Sequence, residues 1–554
     1  MKQKLALLLA LAMLCVVFAG CSGGASSSSS ASTGGSSSSS TSTASSASDT
    51  SSQPDTDPVS VSGEFPDFSY VDGIDTSEFV TVDWLMVGDV PDNGQTDAVL
   101  EKINEILRRE LNCELRLSFI GWTEYLSNYN LRLASGEALD IVYCADWLDA
   151  KMNASRGAYL PLDDLLPVYA PNFWNDVKPE EWDQARDAEG HIFQLPMNNH
   201  AFYGLSAMFY RNDWAKEAGF TDGIHSFDDM GKYWQWVVDN HSDVVPWNTA
   251  GDLDSNQLLN MYMFDKTDCI NCIGSGSFNI ILGESNDNPY QLLNAVEQDW
   301  FLDFAKTMKE WGDAGYWPSD VMSRTGNQTD ANMFQVGKSA SWEHQLEQLF
   351  NDAVEYEKKV PGSDPQAYVY EENRGFSYAA AATRWADALA ATCDCPERAL
   401  MVYDRMRYDR ELYNLYYYGI EGIQYELNSE GLRVDPEGYS AAKDGIYFCN
   451  NALRNDEYDI ERADAWPYKK KYIDMIKPML IISPYAGFSF DPTPVTAEYT
   501  AMNEIVARYL PSIMFGKAGD PEAAVKEFRD ALQSVGIDRV IEEATRQLNE
   551  FAAG

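Results

Sequence analysis

The hydrophobic positions early in the chain change period repeatedly, from the alternation of strands to the spacing of helices. Residues 80–87 are rich in β-branched and aromatic side chains, which is typical of a strand. Thr96 then precedes apolar positions at helical spacing up to Leu107, which predicts a helix. Two further strands are predicted over 115–119 and 140–143, with a helix between them. This order predicts an α/β fold with a parallel sheet.

The ends of these strands carry the first candidate site. Ligands of open α/β sheets bind outside the carboxyl ends of the strands. The residues that directly follow the predicted strands, and are therefore candidates for ligand contact, are Asp89, Trp122, Asp146 and Trp147. Aromatic residues make up 13% of the chain. Their flat apolar faces suit sugar rings, which have an apolar face and a hydroxyl rim.

The C-terminal part of the chain is predicted to be helical. Asp520 can cap a helix that starts with Pro521 and carries an apolar stripe from Val525 to Leu532. Gly536 ends this helix, and a second helix is predicted from there to about residue 551.

The N-terminus predicts export and anchoring. Residues 1–20 predict a signal peptide, whose apolar run over 5–19 is shorter than the roughly 20 residues of a membrane-spanning helix. The directly following Cys21 resembles the acylated cysteine of a bacterial lipobox, so we expect an extracytoplasmic protein attached to the cell membrane by lipid alone. Residues 21–61 are mostly Ser, Thr, Ala and Gly and predict a flexible tether. The alternative is a plain secretory signal with an incidental cysteine.

The charge of the chain limits its partners. There are 86 acidic and 41 basic residues, which give a formal net charge of −45. Nucleic acids and anionic membrane surfaces bind clustered positive charge. Neither is therefore an expected partner.

Two close pairs of cysteines raise the question of a metal or a disulfide. Cys269 and Cys272 are separated by two residues in a C-x-x-C spacing, and either a disulfide or free thiols would fit there. Cys393 and Cys395 lack that spacing, although zinc sites usually repeat it. We therefore predict no metal site and no cofactor.

Several segments together resemble a known family. The run Gly-Glu-Ala-Leu-Asp-Ile from Gly136 and the run Phe-Gln-Val-Gly-Lys-Ser-Ala from Phe334 are similar to characteristic stretches of family 1 extracellular solute-binding proteins, which include maltose-binding protein. Six such segments occur in the order of the family: residues 136–147, 157–166, 190–196, 209–213, 334–343 and 396–400. Residues 418–425 and 487–491, with the helical tail, resemble a larger lipoprotein subgroup that has its own C-terminal domain.

The resemblance implies a two-lobed α/β fold of the periplasmic-binding-protein type. Hinge strands would join the lobes, a ligand cleft would lie between them, and the C-terminal region would be helical. The first lobe is expected to contain residues 62–195 and about 335–380. The second lobe is expected to contain residues 196–334 and about 381–554.

The resemblance also implies a function and further site residues. Members of the family capture a sugar or oligosaccharide and deliver it to the permease subunits of an ABC importer, so we expect a monomeric binding protein without catalytic residues. Positions after the crossing strands of the family line its cleft, and in this chain they are Asn198, Asn199, His200, Tyr203, Trp342 and Glu343. Amides and carboxylates of this kind hydrogen-bond hydroxyl groups. Whether the ligand is a sugar or another small solute stays open.

Two other classes of protein stay open. A secreted glycoside hydrolase would share the acidic charge and the aromatic content, but it needs two carboxyl groups about 5–10 Å apart, which sequence alone neither reveals nor excludes. A surface adhesin that binds glycans without transport would show shallow aromatic patches in place of a cleft.

Overall fold

The computed structural model describes residues 65–553 except 123, 188, 198–204, 252–255, 273–279, 325–327 and 449–451. The strands are β1 (Val80–Val87), β2 (Cys113–Ile120), β3 (Ile141–Tyr143), β4 (Ser206–Tyr210), β5 (Val245–Trp247), β6 (Ile270–Asn271), β7 (Ile281–Gly283), β8 (Leu292–Asn294), β9 (Ser339–Gln345), β10 (Gln366–Val369), β11 (Ser377–Tyr378), β12 (Asp387–Leu389), β13 (Glu426–Leu427), β14 (Arg433–Val434) and β15 (Leu480–Ile481). The helices are α1 (Gln95–Leu111), α2 (Tyr125–Ala134), α3 (Ala150–Ser155), α4 (Leu166–Tyr169), α5 (Pro171–Asp176), α6 (Pro179–Gln184), α7 (Asn212–Glu217), α8 (Phe227–Asn240), α9 (Gln257–Lys266), α10 (Asp299–Ala314), α11 (Gln328–Gln335), α12 (Leu346–Lys359), α13 (Pro396–Tyr408), α14 (Arg410–Tyr418), α15 (Ala441–Asp444), α16 (Lys469–Ile476), α17 (Thr496–Met514), α18 (Pro521–Ser534) and α19 (Ile537–Ala552). Among the helices described, none combines the length and hydrophobicity that a membrane crossing requires.

The first lobe is built on a four-stranded sheet in the order β12-β3-β1-β2. β1 pairs in parallel with β2 and with β3, whereas β12 is antiparallel to β3. One hydrophobic core joins this sheet to α1 and α13 and includes Trp84, Ile103 and Tyr403. The predicted strand–helix alternation and the α/β fold are thus confirmed.

The second lobe is built on a sheet in the order β10-β4-β9-β5. β4 is antiparallel to both β10 and β9, and β5 is parallel to β9. Successive side chains of a strand point to opposite faces, and those of β4 enter two different cores. Met208 and Tyr210 lie in one core and Phe209 lies in the other, so both faces of this sheet are covered.

The two lobes divide the chain differently from our expectation. The strands β9 and β10, within residues 335–380, belong to the second lobe because β9 is hydrogen-bonded to β4. Conversely, β12, α13 and α14 belong to the first lobe, although residues 381–554 were expected in the second. The expectation was wrong because the chain passes from the second lobe to the first at residues 379–386 and not near residue 335.

The connections between the lobes lie close together and form the hinge. The first crossing ends in a contact with the second, where the Met197 N–H donates to the Ala382 carbonyl at 2.9 Å. The chain leaves the first core after Leu453 and returns to the second lobe. At this third crossing the Arg454 guanidinium pairs with Glu347 of α12, with Nη1 and Oε1 2.8 Å apart.

The C-terminal helices α17, α18 and α19 complete the core of the second lobe. Phe528 of α18 packs against Phe301 of α10, with ring centroids 6.4 Å apart. The Asp520 carboxylate accepts from the Ala523 N–H at 2.9 Å and caps α18, while Gly536 at φ 86° separates α18 from α19. The predicted helical C-terminal region is confirmed.

The six cysteines in the described part of the chain are free thiols. Cys269 and Cys272 are buried in the second lobe, where burial raises the pKa of both thiols, to about 12 for Cys272. Of the two alternatives left open for this pair, the structure therefore contains the free thiols. Cys393 and Cys395 are half-buried against the core of the first lobe. Within the residues described, no group of His, Cys, Asp and Glu side chains is arranged to hold a metal ion.

Three buried carboxyl groups and a half-buried one make the fold sensitive to pH. Burial raises the pKa of Asp387 to about 8 and the pKa of Glu347, Glu371 and Asp404 to about 7. Asp404 of α13 is an example, because its carboxyl group is fully buried and burial disfavours the charged form. The hydrogen bonds that it accepts from Asn172 and from the Phe173 N–H offset only part of this effect.

We expect the protein to unfold at a higher temperature at pH 5.5 than at pH 8.5. The raised pKa means that the folded state holds protons that the unfolded chain releases between about pH 4 and pH 8, so stability rises as the pH falls through this interval. Thermal unfolding followed by circular dichroism measures the effect. Asp387→Asn should reduce the pH dependence, whereas Glu217→Gln, at an exposed position, should not. A midpoint that rises from pH 5.5 to pH 8.5 would contradict this account.

Candidate functional site

A pair of stacked indole rings lies at the carboxyl edge of the first sheet. Trp122 follows β2 and Trp147 follows β3, and their ring centroids are 6.3 Å apart at an interplanar angle of 25°. Tyr125, in the first turn of α2, packs edge-on against both, at 5.5 Å in each case. The parallel pairing of β1 with β2 and β3 brings these rings together, because it aligns the ends of the strands at one edge.

Hydrogen bonds fix the orientation of both indoles. The Trp147 Nε1–H donates to the Arg384 carbonyl at 2.8 Å, which ties this ring to the second crossing. The Trp122 Nε1–H donates to the Tyr447 hydroxyl at 3.2 Å, and that hydroxyl donates to the Val87 carbonyl at 3.2 Å. The faces of the rings are therefore set by the backbone before any ligand arrives.

Gly88 allows this arrangement at the end of β1. A Cβ atom at this position would lie 2.1 Å from the Tyr447 ring, a distance that real contacts do not reach. The backbone at Gly88 has φ 144°, which side chains rarely adopt. The glycine thus lets Tyr447 cross the strand end and reach Trp122.

The two indoles form a surface and not a clamp. A sugar ring between them would need about 3.5–4 Å on each side, or roughly 7–8 Å in total, which exceeds the 6.3 Å between their centroids. Trp122 is 38% exposed, while Trp147 is half-buried against the first core. A ligand would therefore stack on the open face of Trp122 and along the edge of Trp147.

Charged groups surround the rings. The Asp146 N–H donates to the Thr383 carbonyl at 3.0 Å, and its side chain is reached by solvent. The surrounding protein nevertheless desolvates this carboxyl group and raises its pKa, while Arg384 and Lys151 act in the opposite direction. Desolvation likewise lowers the pKa of Lys151. The Asp146 carboxyl group is thus accessible to solvent and partly desolvated at the same time, as expected for a group in a cleft.

The first four predicted residues lie together at this edge. Asp89 follows β1 with an exposed carboxylate, and its Oδ1 atom would lie 2.7 Å from a Cβ added at Gly121, next to Trp122. Acceptors from Asp89 and Asp146, with a donor from Lys151, can bind hydroxyl groups of a ligand stacked on the rings. Their contact with a ligand stays a prediction.

Trp342 and Glu343 do not lie at this edge. Both belong to β9, and Trp342 is 6% exposed between Phe209 at 5.3 Å and Phe334 at 6.0 Å. Trp342 was expected to line the cleft from the first lobe, but it belongs to the second lobe and its ring is buried, because β9 lies inside the second sheet with both faces covered. Glu343 is half-buried opposite Met208 in the same sheet.

The remaining predicted positions lie outside the described residues. They are Asn198, Asn199, His200, Tyr203 and the lipidation site Cys21.

Sequence reasoning missed four side chains at this edge. Tyr125 is three residues from Trp122, so its place in the first turn of the predicted helix was a usable signal. Lys151 lies four residues after Trp147, in the first turn of α3. Arg384 and Tyr447 are far away in sequence, and only the folded chain brings them here.

Two lobes that are joined by closely spaced crossings, with a fixed aromatic surface at the edge of one sheet, define a two-lobed ligand-binding protein. The profile of bacterial extracellular solute-binding proteins matches residues 93–396, more than half of the chain. The chain belongs to this family. A second profile, described as a domain of unknown function, matches residues 484–553.

Individual relatives agree with this assignment. A carbohydrate ABC transporter substrate-binding protein of Streptococcus pneumoniae serotype 4 is 20% identical over 496 residues, covering 86% of this chain and 92% of the relative. The crystal structure of the N-glycan transport solute binding protein NgtS from the same species has a TM-score of 0.70 at 18% identity and covers 86% of this chain and 99% of that protein. The FusA substrate binding protein of S. pneumoniae in complex with kestose has a TM-score of 0.60 at 14% identity, with 85% and 99% covered. The structural likenesses establish the shared fold.

The different burial of the two tryptophans can be measured directly. Trp342→Ala should lower the free energy of unfolding by about 3–5 kcal/mol, because it removes a large ring from a closed core. Trp122→Ala should cost clearly less, because much of this ring is already in contact with water. Denaturant unfolding of the two variants checks this order. An equal loss of stability in both would show that Trp122 is a core residue.

Proposed function

We propose that this protein is the substrate-binding component of an ABC importer and captures a sugar or short oligosaccharide between its lobes. The observation that carries the proposal is the oriented indole pair at the carboxyl edge of the first sheet, flanked by the Asp89 and Asp146 carboxylates. The apolar face of a pyranose stacks on such rings while its hydroxyl groups reach the carboxylates. The relatives named above point in the same direction, since one is a carbohydrate ABC transporter protein and another was solved with kestose.

The hinge supplies the motion that capture requires. Two-lobed binding proteins close around a ligand by bending at a few connecting residues. In this chain the second crossing carries the Thr383 and Arg384 carbonyls, which accept from the Asp146 N–H and the Trp147 indole. Bending at this crossing therefore acts next to the ligand surface, and closure would present the second lobe to a sugar on Trp122. The permease subunits of the importer are the proposed partners of the closed form.

Binding of a glycan without turnover tests the proposal. A panel of oligosaccharides that includes Man5GlcNAc and kestose should contain compounds that raise the melting temperature of residues 62–554, with a ligand at 100 times its Kd adding about 2.7 kcal/mol. No compound should be cleaved. Reducing sugar released by the protein and lost in Asp146→Asn would instead indicate a glycoside hydrolase.

The Trp122→Ala variant locates the site. It should weaken the binding of any glycan found in the panel by about 5- to 150-fold, the loss expected when a ring stacked on an aromatic side chain is left without its partner. Trp174→Ala is the matched control, because Trp174 is a half-buried ring of the first lobe that packs against Trp182 in a tilted arrangement, with ring centroids 5.2 Å apart. Isothermal titration calorimetry measures both. Unchanged affinity in Trp122→Ala would remove this surface from the site.

We also propose that the signal peptide, residues 1–20, is removed and that Cys21 is then acylated, which anchors the protein outside the cell membrane. Cys21→Ser should release the protein into the medium with its melting temperature unchanged, because the Ser-rich tether separates the anchor from the folded lobes. Cell fractionation and labelling with palmitate check this outcome. A Cys21→Ser protein that stays in the membrane fraction would contradict lipid anchoring.

A further inference from the structure

A loop of the C-terminal region reaches across to the first lobe beside the proposed site. The Lys151 ammonium, at the start of α3, donates to the Gly487 carbonyl with Nζ and O 2.5 Å apart. Gly487 lies within the matched domain of unknown function, and its neighbours Tyr485 and Phe488 pack with the core of the second lobe. The bond therefore joins the two lobes.

The loop is held firmly on its own side. Tyr485 donates to the Pro289 carbonyl, and its ring is buried in the second lobe. At the other end of the loop, the Asp491 N–H donates to Gln547 of α19 at 2.9 Å, and the Gln547 amide donates back to the Asp491 carbonyl at 2.8 Å. Anchored at both ends, the segment moves with the second lobe.

The opposite side of the contact belongs to the first lobe and to the hinge. A Cβ atom added to Gly487 would lie 3.7 Å from the Cα atom of Gln184, at the end of α6. The Gln184 side chain accepts from the Ala382 N–H of the second crossing at 2.9 Å. Lys151 lies four residues after Trp147, and the Asp146 carboxylate acts to raise the pKa of its ammonium group. The loop thus contacts the first lobe between the ligand surface and the hinge.

The backbone of Gly487 fits this close approach. Its φ of 83° lies in the left-handed region, which glycine adopts without the penalty that other residues incur. The turn directs the carbonyl group at Lys151 while the α-carbon passes close to Gln184. A Cβ atom here would make only ordinary van der Waals contacts, so the backbone conformation and not a lack of space favours glycine.

We propose that Lys151 and the Gly487 carbonyl form a latch that holds the two lobes together beside the hinge, and that this is a function of the C-terminal domain over residues 484–553. The bond joins α3 of the first lobe to a loop of the second lobe, so any motion that separates these two segments has to break it. If the proposed function holds, the latch limits how far the lobes can separate on this side of the ligand surface. The latch itself does not depend on which ligand is bound.

Disulfide trapping tests whether the lobes meet at this point in solution. In the full mature chain, Gln184→Cys combined with Gly487→Cys has a geometry that a disulfide can span, given the 3.7 Å between the added Cβ and the Cα of Gln184. Oxidation with copper phenanthroline should link the two positions, read by mass spectrometry of the joined peptides. Gln184→Cys with Gly438→Cys is the matched control, since Gly438 has φ 80° and open space around it, and this pair should not link. Absence of the 184–487 link overturns the proposal.

The contribution of the lysine is measured in the same trapping variant. Lys151→Met should slow formation of the link by about tenfold, the effect expected from losing a hydrogen bond to a charged group. Lys102→Met, at an exposed lysine of α1, should leave the rate unchanged. An unchanged rate in Lys151→Met shows that the contact is incidental and overturns the latch.

A second pair of positions can be cross-linked if the first variant does not fold. If Gln184→Cys fails to fold, as judged by circular dichroism, Asp183→Cys with Gly487→Cys can be bridged by a short bismaleimide, because the Asp183 carbonyl oxygen lies 4.0 Å from the added Cβ and Lys151 stays in place. Failure of that bridge also counts against the latch. Neither measurement uses a ligand, so a protein that binds no glycan in the panel would disprove the proposed function and leave this inference standing.

Discussion

The antiparallel addition of β12 to an otherwise parallel sheet is the constraint on which the rest of the site depends. It sets the second crossing alongside the end of β3, where Ala386, Thr383 and Arg384 each accept a hydrogen bond from the segment Cys144 to Trp147. The second crossing, which is part of the hinge, is therefore hydrogen-bonded directly to the segment that carries Trp147. A displacement of β12 would change the orientation of Trp147 and of this crossing together, so these hydrogen bonds couple ligand binding to bending.

The charges near this backbone act differently from those on the surface. Most of the acidic excess lies in solvent, where ion pairs contribute little to stability. Asp146 and Lys151 are instead enclosed by protein, and desolvation shifts the pKa of each toward its neutral form. Groups in that state bind polar ligands strongly, because a new hydrogen bond replaces hydration that the protein has already removed in part. In the proposed site, these two side chains are therefore the ones whose hydrogen bonds to a ligand would be strongest.

Local patterns predicted the elements of this fold, while pairings distant in sequence decided where the lobes end. The strands and helices up to Tyr143 and the capped helix after Asp520 follow from periodicity and capping, which act over a few residues. Trp342 was misplaced because β9 is covered on both faces, so burial does not alternate along the strand and Ser339 and Ser341 are buried as well. The role of Tyr447 could not be predicted from the sequence, because it lies 325 positions from Trp122 and only the fold brings the two side chains together.

The C-terminal helices connect stability with closure. They share a core with α10 and the second sheet, so the loop that carries Gly487 is positioned by the same packing that stabilises the second lobe. A mobile loop would lose conformational entropy each time it met the first lobe, and that cost would offset the single hydrogen bond gained. Two hydrogen bonds between Gln547 and Asp491, together with the buried Tyr485 ring, order the loop in advance, so that entropy is already lost on folding. The bond to Lys151 can then contribute most of its free energy to holding the lobes together.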